Sequence, residues 1–273
     1  NCTQTDAEGR YALTSDLSQR RFVFISVPAE YEIPARHGCP QFFKRIDRFQ
    51  KEVTADFVLE PRLTPAEHHT LLVQGDPQIK NYGGDGSAEA YRSVVIPDMI
   101  RMRSTIGTPC YGINLGDLVY NDMNVYNAYI DNTERVNTTT FNVIGNHDHD
   151  QTTILSDSLG TVYFEMYLGP TCYSANIGNM HYVFVDNILY GREDASKSYE
   201  LGLSDEIAHW LRQDLSYVPK DKTIMICAHS QMFKKYSSFS TRNRNYAVYR
   251  DELLKFRNVY SWAGHNHHTY IYN

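Results

Sequence analysis

Apolar residues along this chain gather into short runs, and five of those runs are followed closely by polar residues of metal-binding type. The runs occupy residues 70–74, 111–115, 140–144, 223–227 and 259–263. Each is short and rich in Val, Ile, Leu or aromatic residues, which predicts buried strands rather than helices. Elsewhere the period changes. Ile207, Leu211 and Leu215 fall four apart behind Ser204, with Trp210 beside them, predicting a capped helix over residues 204–215. Residues 124–136 predict a second helix. A third begins at Ser87 as N-cap and is expected to kink or restart at Pro97. Residues 172–177 and 181–186 predict two strands of a hairpin turning at Gly178-Asn179.

Residues 1–66 follow a different pattern. Short strands are predicted, most clearly over residues 21–27 and 56–60, with a Pro-bounded loop over residues 28–34. They read as a small β-rich, sandwich-like domain ending near Leu63-Thr64-Pro65-Ala66. Residues 67–273 alternate strand and helix and form an α/β domain. Residues 190–202, with Gly191, Glu193, Asp194 and Lys197, are expected as a long exposed loop, and these and residues 234–247, with Lys234, Lys235, Arg242 and Arg244, are expected to border the mouth of a site.

The five segments behind the runs are Gly75-Asp76-Pro77-Gln78, Gly116-Asp117, Gly145-Asn146-His147-Asp148, Cys227-Ala228-His229 and Gly264-His265-Asn266-His267. Open α/β sheets bind ligands beyond the carboxyl ends of their strands, so five strand ends can aim five loops at one point. Taken alone, Asp76, Asp117 or Asn146 is an ordinary turn residue, and His229 an ordinary rim histidine. Together, in one order and each behind a strand, they predict a metal centre. Carboxylate, amide and imidazole donors suit Mn, Fe, Zn or Ni, and Asp117 is the natural bridge between two ions because a carboxylate has two oxygens. No glycine-rich lysine loop for nucleotide phosphates is present.

Composition narrows the reading. The chain has 273 residues, 42% hydrophobic and 21% charged, as in an ordinary globular protein. A net charge of -6 argues against general nucleic-acid binding, but not against an anionic substrate met by bound cations. No apolar run approaches the ~20 residues of a transmembrane helix. The chain opens on Asn1 without Met, and export to a periplasmic or cell-surface location, with a targeting segment removed, is an expectation. Its five cysteines form no C-x-x-C pair, and Cys2 and Cys39 are candidates for pairing.

These motifs resemble the calcineurin-like metallophosphoesterase superfamily, whose signature is D-x-H, G-D, G-N-H-[DE], H and G-H-x-H. The resemblance covers residues 69–273 and is strongest to a bacterial branch with an Asp-Pro-Gln first block and a β-rich N-terminal domain. It implies a four-layer α/β/β/α sandwich and two divalent transition metal ions. Asp76, Asp117 and His267 would hold the first, with Gln78 standing where the family has histidine. Asp117, Asn146, His229 and His265 would hold the second. His147 would face the substrate, with Asp148 orienting it, and Asp117 and His147 would be catalytic. The implied activity is hydrolysis of a phosphomonoester or phosphodiester by a hydroxide bridging the metals, on a phosphorylated small-molecule or lipid-type substrate. Two alternatives are a catalytically weakened metal- or phosphate-binding protein, and a pyrophosphatase acting on a nucleotide or lipid head group.

Overall fold

The computed structural model describes residues 1–16, 21–47, 49–81, 86–152, 156–191, 199–233, 243–269 and 271. Its N-terminal part is β-rich. Strands Phe22–Phe24 (β1), Ala35–Arg36 (β2), Cys39–Pro40 (β3) and Phe43–Arg45 (β4) form two antiparallel pairs, β1 with β4 and β2 with β3. Residues 56–60, expected as a strand, join no ladder. They run between exposed and half-buried positions, and Glu60 is tied instead by its carbonyl to the amide of Glu32, 2.9 Å away.

The predicted runs all become strands. Thr70–Gln74 (β5), Cys110–Asn114 (β6) and Thr139–Asn142 (β7) form a three-stranded parallel sheet in that order. Before β6 come Ser87–Ala90 (α1) and Ile96–Ser104 (α2), joined by a wider π-type turn over Tyr91–Val95. Pro97 opens α2, so the interruption expected there takes the form of that wide turn. Ser87 does not cap α1. Gly86 holds the cap position, and the Ser87 hydroxyl accepts instead from the Lys80 amide at 3.0 Å. Helix Tyr126–Glu134 (α3) precedes β7.

Asp157–Gly160 (α4) and Val162–Leu168 (α5) lead into the second sheet. The predicted hairpin forms from Tyr173–Ile177 (β8) and Met180–Val185 (β9). Ile188–Leu189 (β10) pairs with Glu200–Leu201 (β11), so the end of the expected 190–202 loop is a short strand. Glu193, Asp194, Lys197, Lys234, Lys235 and Arg242 lie outside the described residues. Asp205–Ser216 (α6), Thr223–Ala228 (β12), Tyr246–Leu253 (α7) and Asn258–Trp262 (β13) complete the chain. The second sheet has the order β13-β12-β9-β8, with β12 parallel to both neighbours.

Strand alternation builds the layers. On β12, Met225 and Cys227 face a core shared with Ile113, Phe141, Tyr173 and Phe184, between the sheets. Ile224, Ile226 and Ala228 face the opposite way, onto Leu211 and Leu215 of α6 and Tyr249 and Leu253 of α7. A third core joins Leu72 to Tyr91, Ile96, Tyr126 and Tyr129 beneath α2 and α3. Helices, sheet, sheet and helices make the expected α/β/β/α sandwich. The N-terminal part packs on its edge, where Val27 bridges Ala175 of β8. All five cysteines are free thiols, so Cys2 and Cys39 are not paired.

Candidate metal centre

Each site residue follows a strand of this sandwich, and the backbone turns sharply to present it. Asp76, Gln78, Asp117, His265 and His267 all adopt positive φ, between 47° and 70°. Left-handed conformations are unfavourable for residues with a Cβ and concentrate at functional sites. Two preceding glycines are required by close approach. A Cβ on Gly116 would lie 2.5 Å from His229 Nδ1, and one on Gly145 would lie 2.3 Å from Asp117 Oδ1. The Gly-Asp and Gly-Asn-His spacings therefore have a steric cause: a candidate ligand from a neighbouring loop occupies the space a side chain would need.

The side chains converge although they span residues 76 to 267. One ligand atom each from Asp76, Asp117 and His229 lies within 4.8 Å of the others. His229 Nε2 is 3.2 Å from Asp117 Oδ1, 3.1 Å from Asn146 Oδ1 and 3.9 Å from Asp76 Oδ1. His265 Nδ1 is 3.0 Å from Asn146 Oδ1 and 3.2 Å from His229 Nε2. On the other side, His267 Nε2 is 3.4 Å from Asp76 Oδ1. Gln78 Nε2 donates to Asp117 Oδ2 at 3.0 Å and lies 3.3 Å from His267 Nε2. All seven predicted ligand residues are thus linked, with Asp117 between its two sets of neighbours.

The donor set fits divalent metal ions. His229 is fully buried, and its Nδ1 donates to the Leu115 carbonyl at 2.8 Å, which turns Nε2 toward the carboxylates. That is the orientation of a metal-ligating imidazole whose second nitrogen is fixed by a carbonyl. Without an ion, electrostatics follow burial and pairing. Burial works to raise Asp117, but the hydrogen bond and charge of His229 hold it down at about 2. Burial lowers His229, yet Asp117 outweighs it and the net shift is upward. Asp76 is raised, chiefly by burial, and His265 is lowered to about 4 by burial and by the neighbouring His229.

His147 and Asp148 point different ways. The amide of His147 donates to Asp117 Oδ1 at 2.8 Å. Its ring is stacked on Tyr120, with centroids 4.1 Å apart, and its Nδ1 is 3.0 Å from Asn121 Oδ1. Asn121, not Asp148, therefore orients His147. The Asp148 carboxylate is buried and accepts from the amides of Gly145 (2.8 Å), Leu118 (3.0 Å) and Val119 (3.1 Å) and from the Tyr126 hydroxyl (3.1 Å). It locks the Asp117 loop to the Asn146 loop. Sequence reasoning missed Asn121 and Tyr120, which carry no motif of their own. It also missed Gln231, whose Oε1 accepts from Asn266 at 2.9 Å and braces the last loop.

Residues 1–62 match a family model described as the N terminal of Calcineurin-like phosphoesterase. The resemblance to the calcineurin-like superfamily with a β-rich N-terminal part is borne out by this match. The segments that carry the candidate ligands lie beyond the matched residues. A search of curated proteins by sequence finds no match. Among solved structures, a purple acid phosphatase from yellow lupin (Lupinus luteus) seeds is 16% identical with a TM-score of 0.49, over 72% of this chain and 37% of that one. A dimetal phosphatase from Danio rerio is 18% identical with a TM-score of 0.48, over 72% of this chain and 81% of that one. The chain therefore spans little more than a third of the lupin enzyme's length.

Proposed function

We propose that this chain is a metal-dependent phosphoester hydrolase with a two-metal centre. The observation that carries the reading is the convergence of Asp76, Gln78, Asn146, His229, His265 and His267 from the strand ends around Asp117, whose carboxylate meets Gln78 on one side and His229 on the other. Asp76, Asp117 and His267, with Gln78, would hold one divalent first-row ion; Asp117, Asn146, His229 and His265 would hold the other. Such a pair supplies Lewis acidity toward phosphoryl oxygens and lowers the pKa of water toward neutrality.

The protein's own contribution is positioning. Gly116 and Gly145 admit the ligands, and Asp148 fixes the two loops against each other. His147 is stacked on Tyr120 and held through Nδ1 by Asn121, and its Nε2 makes no hydrogen bond among the described residues. In the imidazolium form Nε2 carries the proton that a departing oxygen needs. The substrate is a phosphorylated small molecule or lipid-type ester, a monoester or a diester.

The test is turnover of p-nitrophenyl phosphate and bis-p-nitrophenyl phosphate by the full chain with Mn, Zn, Fe or Ni, alongside metal analysis. Asp117→Asn should lose most activity and loosen both ions. His147→Ala should keep its metal content while turnover falls by roughly 10²-fold or more. No turnover under any metal would sink the hydrolase reading. Equal metal loss in both variants would show that His147 has been given the wrong role.

A further inference from the structure

A second buried histidine repeats the arrangement of His229 away from the strand-end cluster. His149 is 0% exposed, and its Nδ1 lies 2.8 Å from the Gly145 carbonyl oxygen, so the ring proton belongs on Nδ1. Nε2 then offers a lone pair, and it has no hydrogen-bond partner among the described residues. It faces two carboxylates, Asp157 Oδ1 and Asp186 Oδ2, each 3.8 Å away. His229 shows the same signature, with Nδ1 on a backbone carbonyl and Nε2 toward Asp117 and Asp76.

Three acceptors facing one another in a protein interior repel unless protons or a cation lie between them. The nearby arginine, Arg21, is engaged by Glu165 at 2.6 Å and by the Ser158 carbonyl at 2.5 Å. Glu165 adds further negative potential at both aspartates. The amides of Tyr190 and Ile188 donate to Asp157 Oδ1 and Asp186 Oδ1, leaving Asp186 Oδ2 toward the histidine. Burial pushes the Asp157 carboxyl up to about 6 and Asp186 well above the usual carboxylate range, while it lowers His149 to about 4. Burial thus favours a protonated Asp186 next to an imidazole that stays neutral, and a cation would take the place of that proton.

We propose that His149, Asp157 and Asp186 hold a divalent first-row metal ion at a site separate from the strand-end cluster. One imidazole nitrogen and two carboxylate oxygens are the donors such ions take. A tetrahedral ion with bonds of about 2.1 Å sets its ligand atoms roughly 3.4 Å apart. The only described group with all three ligand atoms within 4.8 Å is Asp76, Asp117 and His229. The new site must therefore close, and the movement falls on Asp157. Its side chain is 33% exposed at the start of α4, whereas His149 and Asp186 are fixed by burial. Asp157, Asp186, Thr161, Glu165 and Cys172 line a solvent-open cavity, which gives an ion its way in.

An ion there would brace the loop carrying Asn146 and His147 from behind. His149 holds the Gly145 carbonyl, and Tyr190, whose amide is on Asp157, donates its hydroxyl to the Asn146 carbonyl at 3.3 Å. The site stands whether or not the hydrolase reading does.

Native mass spectrometry of the full chain loaded with Mn²⁺ or Zn²⁺ tests it. Asp186→Asn and His149→Gln should each carry one ion fewer than the parent chain. The double variant Asp117→Asn/His229→Gln, which removes strand-end ligands, should keep one tightly held ion. Adding Asp186→Asn to it should remove that ion. The proposal is overturned if the double variant holds no ion, or if Asp186→Asn and His149→Gln keep the full count. Should one single variant fail to fold, the other decides, alone and when added to the double variant.

Discussion

In the proposed centre, Gln78 would set the character of one half. It stands where the resembled family places histidine, in a left-handed conformation with φ 47°, and its amide reaches Asp117 and His267. A neutral amide is a weaker donor than imidazole for first-row ions, so Gln78→His should tighten the first ion by roughly tenfold, about 1.4 kcal/mol. Histidine tolerates the left-handed region better than most side chains, so the backbone need not rebuild. Metal titration of both chains checks this, and equal affinities would count against Gln78 as the weak ligand. The pair of His229 and Asp117 gives a pH prediction for the metal-free protein. Asp117 raises the folded pKa of His229 above its ordinary value of about 6.5. Its contribution to stability is therefore full below that value and lost as pH rises through the higher folded one. Metal uptake runs the other way, because His229 must shed its proton to bind. Denaturation in a chelator and metal titration, both from pH 6 to pH 8, should slope oppositely; parallel slopes would show that His229 is not charged in the metal-free fold. The candidate ligands were legible because each lies within four residues of the end of an apolar run. Asn121 was not, because its contact with His147 depends on a turn with φ 55° that no residue pattern announces.

Elements were legible where period and boundary agreed. The five strand runs and the 173–185 hairpin declare themselves by apolar residues ending at glycine or a polar group. Helix α6 has both a stripe and a cap: Ser204 Oγ accepts from the Ile207 amide at 3.2 Å, and Leu211 and Leu215 are buried. Ser204→Ala should cost about 1 kcal/mol and lower the melting temperature by roughly 2–4 °C. Thermal denaturation with an unchanged metal load checks it, and no shift would mean that water caps the helix as well as serine does. Where period and boundary disagreed, reading failed. Helix α5 exposes Val162, Tyr163 and Met166, so its sequence carries no clean apolar face. Helix α7 begins behind Asn245 at φ 60° without a side-chain cap. Residues 56–60 alternate like a strand but join no ladder; pairing is confined to a single bridge between Tyr31 and Pro61 at the segment's end, and alternation alone cannot supply a partner.

At the scale of the whole molecule, we propose that residues 1–66 form a unit by topology but not by stability. Val27, Ile33, Phe42 and Ala66 belong to the same core as Ile113, Phe141, Tyr173 and Phe184. The Phe42 and Tyr173 rings lie 4.8 Å apart. Arg62, nearly buried, donates to the Tyr111 hydroxyl at 2.6 Å and to the carbonyls of Ala29 and Tyr31. A buried polar chain adds to this seam: the Ser174 hydroxyl lies 2.9 Å from Ser26 Oγ and 2.7 Å from Asp214 Oδ1, and Asp214 Oδ2 meets His181 Nε2 at 2.8 Å. Cutting the chain at residue 66 would expose one side of the inter-sheet core and take Arg62 from the Tyr111 hydroxyl and Ser26 from Ser174, while Ser174, Asp214 and His181 keep one another. Phe42→Ala should therefore destabilise the entire chain by about 3–5 kcal/mol, the range for a large aromatic lost from a core. It should do so in one cooperative transition seen alike by fluorescence and by far-ultraviolet dichroism. Residues 67–273 expressed alone should melt well below the full chain or fail to fold. The motif segments all lie in that fragment, so it also separates stability from chemistry: metal bound by a fragment of full stability would show that the N-terminal part is a passive attachment and that the shared core contributes little.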